Sequence, residues 1–172
     1  DVGNALTREM HEEDIAIIKE IGANTLRLAH YQHDDYFYDL CDEAGLVVWA
    51  EIPYISRHMP EANDNAVSQM KELIYQQYNH ACIVMWGVSN EITMYHKHKK
   101  NMLAFHKKLN DLVHKTDPTR LTTLAVFAMA GPMNKTAHIT DVVAWNLYLG
   151  WYVPGFFLND LWISLFHTLY PK

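Results

Sequence analysis

Only two cysteines, Cys41 and Cys82, occur among 172 residues. Both stand inside apolar segments without the paired spacing of a zinc site, so they are expected as buried free thiols, in neither a disulfide nor a metal centre. Glycine (7) and proline (6) are too scarce for a fibrous or low-complexity chain. No glycine-rich phosphate loop or dinucleotide fingerprint follows any apolar run, which removes the main support for nucleotide-binding doubly wound folds. No stretch of about 18 apolar residues is present, so no transmembrane helix and no membrane partner are expected. Asp1-Val2-Gly3-Asn4 has neither the basic nor the apolar part of a signal peptide. Positive charge is also short: 14 Lys and Arg against 20 Asp and Glu give a formal net charge of −6. Nothing there attracts nucleic acid. The basic run His96-Lys97-His98-Lys99-Lys100 precedes helical periodicity and reads as a solvated helix face.

What the chain does have is 49% hydrophobic residues in alternating patterns. Residues 7–21 carry Ile15, Ile18 and Ile21 at helical spacing, with Thr7 as the expected cap and Gly22 as the stop. A short strand is expected over residues 25–29. A second helix, opened by Asp34 or Asp35 and closed by Gly45, leads straight into the apolar run at 46–50. That run does not alternate, which is how a strand covered on both faces reads. The pattern recurs: Val67, Met70, Leu73 and Ile74 mark a third helix and residues 82–86 a third strand. Met102, Phe105, Leu109 and Leu112 mark a fourth helix, and residues 121–125 and 142–145 are strand-like. Helices alternating with continuous apolar strands predict a parallel α/β sheet, and without a nucleotide motif a barrel is the better choice.

In a (β/α) barrel the working residues stand at the C-terminal ends of strands. The apolar runs here are followed by Arg27 and His30-Tyr31, by Glu51, by Ser89-Asn90-Glu91, and by Asn146, Tyr148, Trp151 and Tyr152. Such a rim suits sugar hydrolysis. A carboxylic acid must protonate the departing oxygen, a second carboxylate must attack the anomeric carbon, and amide, imidazole and aromatic groups must hold the ring. Each feature alone also has a bland account: His30 as a core histidine, Trp151 and Tyr152 as ordinary core, Arg27 and Glu51 as a buried ion pair that shapes the rim.

Taken together, Arg27-Leu28-Ala29-His30-Tyr31, the segment 40–51 ending in Trp49-Ala50-Glu51, the segment 79–91 ending in Ser89-Asn90-Glu91, and Asp117-Pro118-Thr119-Arg120 resemble consecutive landmarks of glycoside hydrolase family 2, the β-galactosidase and β-glucuronidase family. The resemblance implies a retaining β-glycosidase with Glu91 as general acid/base, Asn90 on the sugar 2-hydroxyl, and His30 in the first subsite with Arg27 in support. The stretch Asn146-Leu147-Tyr148-Leu149-Gly150-Trp151-Tyr152 resembles a glucuronidase-like pattern in which the first tyrosine, here Tyr148, orients the nucleophile. Two departures stand out. Pro53-Tyr54-Ile55-Ser56-Arg57 intervenes where magnesium-binding members carry further ligands after the position of Glu51, with only His58 nearby, so no metal and no other cofactor is expected. The family's nucleophilic glutamate would lie beyond Lys172.

The expectation is therefore a (β/α)8 TIM barrel present only in part, roughly strands two to six, with residues 1–172 forming one partial catalytic domain. Its partner would be a carbohydrate, β-galactoside by family frequency, and accessory β-sandwich domains would lie elsewhere in the parent. An endo-acting cellulase- or mannanase-like relative and a non-catalytic sugar-binding barrel are the alternatives.

Overall fold

The computed structural model describes residues 2–95 and 99–170, and among them α-helices alternate with strands from end to end. Helix α1 (Arg8–Glu20) leads into β1 (Thr25–Leu28), α2 (Asp35–Ala44) into β2 (Val47–Glu51), α3 (Asn63–Gln77) into β3 (Ile83–Asn90), and α4 (Lys99–Thr116) into β4 (Leu121–Phe127). Strand β5 (Val142–Asn146) and helix α5 (Leu158–Leu169) complete the series. His96, Lys97 and His98 of the basic run lie outside the described residues, whereas Lys99 and Lys100 open α4 and are exposed.

Local chemistry sets the element ends. The Asp34 carboxylate accepts the Tyr36 backbone N–H at 2.8 Å to start α2, and Gly45 ends it at φ 67°, a conformation that costs glycine little. Helix α1 departs from expectation. Thr7 sits at its N-cap with extended backbone but makes no capping bond, because its hydroxyl donates to the Glu9 carboxylate instead. Of the three isoleucines, Ile15 is buried, Ile18 packs at the margin of the core and Ile21, past the helix end, is 74% exposed.

All strand pairs are parallel, and the order is β1-β2-β3-β4-β5. An order that follows the sequence without reversal has none of the switch points of doubly wound sheets. The sheet is also curled. Neighbouring strands lie about 4.8 Å apart, so four steps across a flat sheet would separate β1 from β5 by about 19 Å. Yet Arg27, on β1, reaches Asn146, on β5, at 3.1 Å. The result is part of a (β/α)8 barrel. Its best-covered strands are the central ones: Val48, Ala50, Ile83, Trp86 and Leu124 pack against Leu73, Ile74, Leu109 and Val113 of the helical layer. Strand β5 is half-buried along its whole length. No helix among the described residues is long and apolar enough to cross a membrane.

Candidate active site

The curl brings the C-terminal ends of β1, β2, β3 and β5 around one centre. Arg27 is its hub. Nε donates to Glu51 Oε2 at 3.0 Å and Nη2 to Glu51 Oε1 at 3.1 Å. Nη2 also donates to Asn90 Oδ1 at 2.8 Å, and Nη1 to Asn146 Oδ1 at 3.1 Å. The guanidinium lies over the Trp49 indole, 4.3 Å from its centroid. Gly87 makes room for this stack: a Cβ there would fall 2.3 Å from Trp49 Nε1 and 2.5 Å from Glu51 Cβ.

Glu51 has no exposed side-chain surface, and its Oε1 is also bonded to His30 Nδ1 at 2.6 Å. A carboxylate only accepts, so Nδ1 is the donor. The core reading of His30 does not hold, because 40% of its side chain remains exposed at the rim.

Glu91 and Asn90 are joined through Asn146, whose Nδ2 donates to Asn90 Oδ1 and to Glu91 Oε1, each at 2.9 Å. Both residues are buried. Tyr148 shares a hydrogen bond with Glu91; burial first, and then the Glu91 charge, push its phenol above the ordinary range. Glu91 itself has φ 49°, an uncommon conformation for a residue with a Cβ. Its N–H is tied to Ala125 O at 2.8 Å. Arg27, His30, Asn90, Glu91, Asn146 and Tyr148 thus converge. Trp151 and Tyr152 stand further out, 80% and 75% exposed. Tyr152 is linked to the centre through an edge-to-face contact with Tyr148 at 5.2 Å.

Both His58 ring nitrogens are engaged, Nδ1 with the Tyr54 hydroxyl and Nε2 with Asn101 Oδ1. Among the described residues the group with metal-ligand chemistry is Asp42, His80 and Cys82, with ligand atoms within 4.8 Å of one another. Asp42 already accepts from His80 Nδ1 at 2.7 Å and from the Cys82 N–H at 2.6 Å. Burial holds the Cys82 thiol protonated, which disfavours a thiolate ligand. The group pins α2 to the start of β3. Both cysteines are free and buried.

Sequence reasoning missed the layer behind the site: Tyr54, His58 and His106. The available signal was His106 itself, on the apolar stripe of α4 between Phe105 and Leu109.

A family model described as "Glycosyl hydrolases family 2, TIM barrel domain" matches residues 1–170. A β-glucuronidase of Bacteroides fragilis is 42% identical over 161 residues, covering 88% of this chain and 22% of that protein. A β-galactosidase of Thermoanaerobacterium thermosulfurigenes is 37% identical over 126 residues, covering 70% of this chain and 16% of that protein. Among solved structures, an FMN-binding β-glucuronidase from Faecalibacterium prausnitzii L2-6 superposes with a TM-score of 0.93 at 47% identity, over 98% of this chain and 26% of the other. The chain spans about a fifth of the length of the curated relatives it matches.

Proposed function

The chain belongs to glycoside hydrolase family 2, and on that premise we propose that it carries the acid/base half of the active site of a retaining β-glycosidase acting on β-glucuronides. The observation that carries this reading is the amide of Asn146 held between Asn90 Oδ1 and Glu91 Oε1. It aims a carboxyl group and an amide at one point, beside an imidazole and a phenol. Glu91 protonates the glycosidic oxygen as the bond to the anomeric carbon breaks, then takes a proton from the water that releases the sugar. Asn90 holds the 2-hydroxyl. His30 contacts the ring, Arg27 fixes the rim, and Trp151 and Tyr152 offer aromatic faces at the entrance.

Retention needs a second carboxylate about 5–5.5 Å from the acid, to form the glycosyl-enzyme. Glu51 does not serve, since both its oxygens are taken by Arg27 and His30. The rest of the parent protein supplies the nucleophile, oriented by Tyr148, together with further domains.

Glucuronide replaces the galactoside expected from family frequency because a β-glucuronidase at 42% identity and an FMN-binding β-glucuronidase at 47% identity match this chain at higher identity than the β-galactosidase at 37% and a "putative beta-galactosidase" structure at 36%. Galactoside is the second reading, favoured by the 37% identity to a β-galactosidase.

In the full-length protein, Glu91→Gln is expected to lower turnover of aryl β-glucuronides with poor leaving groups by about 10²-fold or more. Activated leaving groups should lose much less in glycosylation, and azide should rescue deglycosylation as a glycosyl azide. Equal losses on both substrate types would remove Glu91 from the acid role; faster hydrolysis of the matched β-galactoside would favour the second reading.

A further inference from the structure

Adjacent residues of a strand point to opposite faces, yet Asn90 and Glu91 both reach Asn146. The left-handed backbone of Glu91, φ 49°, brings its side chain back to the face of Asn90, and the register sets which face that is. Gly87 pairs with Thr123 and Asn90 with Ala125, so β3 spends three residues where β4 spends two. Gly87 faces the barrel interior, since a Cβ there would strike Trp49 and Glu51. Strict alternation would then send Ser89 inward and Asn90 outward. The bulge reverses this: Asn90 turns inward to Arg27, and Ser89 turns outward, its Oγ 2.8 Å from His106 Nε2 on α4. Bulges of this kind re-aim side chains beside active sites.

We infer that His106 is a positioning residue for the acid, holding through Ser89 the bulge that turns Asn90 inward and sets the backbone from which Glu91 is aimed. The inference rests on the assignment of Glu91 above. His106 is fully buried, and its Nδ1 donates to Met102 O at 2.8 Å, which leaves Nε2 to accept the Ser89 hydroxyl. Burial depresses its pKa to about 4, so the ring is neutral at physiological pH and the acceptor lone pair is retained. On the other side the Tyr54 ring stacks on His106 at 5.3 Å. The Tyr54 carbonyl accepts the Asn90 N–H at 3.0 Å, and the Ser56 N–H donates to Asn90 O at 2.8 Å. His106 therefore braces the bulge twice, by a side-chain bond to Ser89 and by packing on the loop that holds the Asn90 backbone.

The test uses the full-length protein with His106→Leu, the double variant Ser89→Ala/His106→Leu, and His106→Gln, whose amide oxygen can still accept. Removing both partners of a buried hydrogen bond costs far less stability than stranding one. The double variant should therefore melt close to wild type. Its kcat on a poor-leaving-group aryl β-glucuronide should fall about 10-fold or more with KM little changed, because small displacements of a catalytic group are expensive. Activated leaving groups should suffer less, and His106→Gln should recover most of the loss. Wild-type kcat on the poor leaving group in the double variant overturns the inference. Should that variant fail to fold, equal kcat for His106→Gln and His106→Leu at matched melting temperature overturns it instead. Glu91→Gln is run alongside. If it shows no leaving-group dependence, the acid assignment fails and this inference with it; if it does and the double variant does not, the inference alone fails.

Discussion

Arg27 holds four acceptor contacts: two to Glu51, one to Asn90 and one to Asn146. A guanidinium does this because its donors are fixed in a planar fork; an ammonium is a point charge. Only one Nη1 N–H is left over, so the ion-pair account of Arg27 and Glu51 covers most of what this residue does, and any direct sugar contact is secondary. Arg27→Lys keeps a cation beside the buried Glu51 but loses the span across the rim. In the full-length protein it should lower kcat/KM by about 10²-fold, the scale of a misplaced catalytic group, and stability by about 2 kcal/mol, within the usual range for a broken buried network. Steady-state kinetics with thermal melts check both, and kcat/KM within twofold of wild type would show the span to be dispensable. Arg27, Glu51, Asn90 and Glu91 stood out in the sequence as rim candidates because they lie within or shortly after strand-like apolar runs. Gly87 and His106 did not, since a glycine's use depends on what a neighbouring strand puts against it, and a histidine on an apolar helix stripe reads as core.

At the scale of elements, most helices and strands with clear period or punctuation were legible. Gly45 and Asp34 mark α2 in the sequence and do so in the structure. Strand β3 runs on to Asn90, past the apolar stretch that announced it, because Gly87 and Ser89 look like turn residues until their partners on β2 and α4 are known. Helix α5 went unread although Leu158, Leu161, Trp162, Leu165, Phe166 and Leu169 recur at helical spacing with Asn159, Asp160, Ser164, His167 and Thr168 on the opposite side. The joint between β3, α4 and β4 is a carboxylate, Asp117, with no exposed side-chain surface. Burial pushes its carboxyl up, but hydrogen bonds from Thr119, Arg120 Nη1 and Trp86 Nε1 outweigh that and hold it at about 2. The folded pKa lies below the unfolded one, so the joint is at full strength above about pH 4 and weakens as pH falls toward 2, by about 2 kcal/mol in all. In the full-length protein, amide hydrogen exchange in β3 and β4 should accelerate over that window. Asp117→Asn should exchange faster at neutral pH and respond less to acid; the same acid response as wild type would place the weak point elsewhere.

For the molecule as a whole, the sheet among the described residues ends at β1 and β5, with no strand beside either edge. Parallel sheets are normally covered on both faces, and open edges are templates for pairing with another chain. The second half of the chain adds apolar surface to the problem. Trp151, Phe156, Phe157 and Leu161 are exposed, and no residue of α5 is buried. In a closed barrel the neighbouring strands would take up such edges. A polypeptide of residues 1–172 made by itself is therefore expected to associate into dimers or larger species, which sedimentation velocity across a concentration series would detect. It should also be inactive. Glu91 could still offer a proton, but the attacking carboxylate required for retention has no candidate in Glu51, whose oxygens are committed to Arg27 and His30. Mass-verified residues 1–172 should hydrolyse an aryl β-glucuronide no faster than their own Glu91→Ala variant. A monomer that clearly outpaces that control would mean that closure is unnecessary for folding and that a carboxylate within this chain acts as the nucleophile.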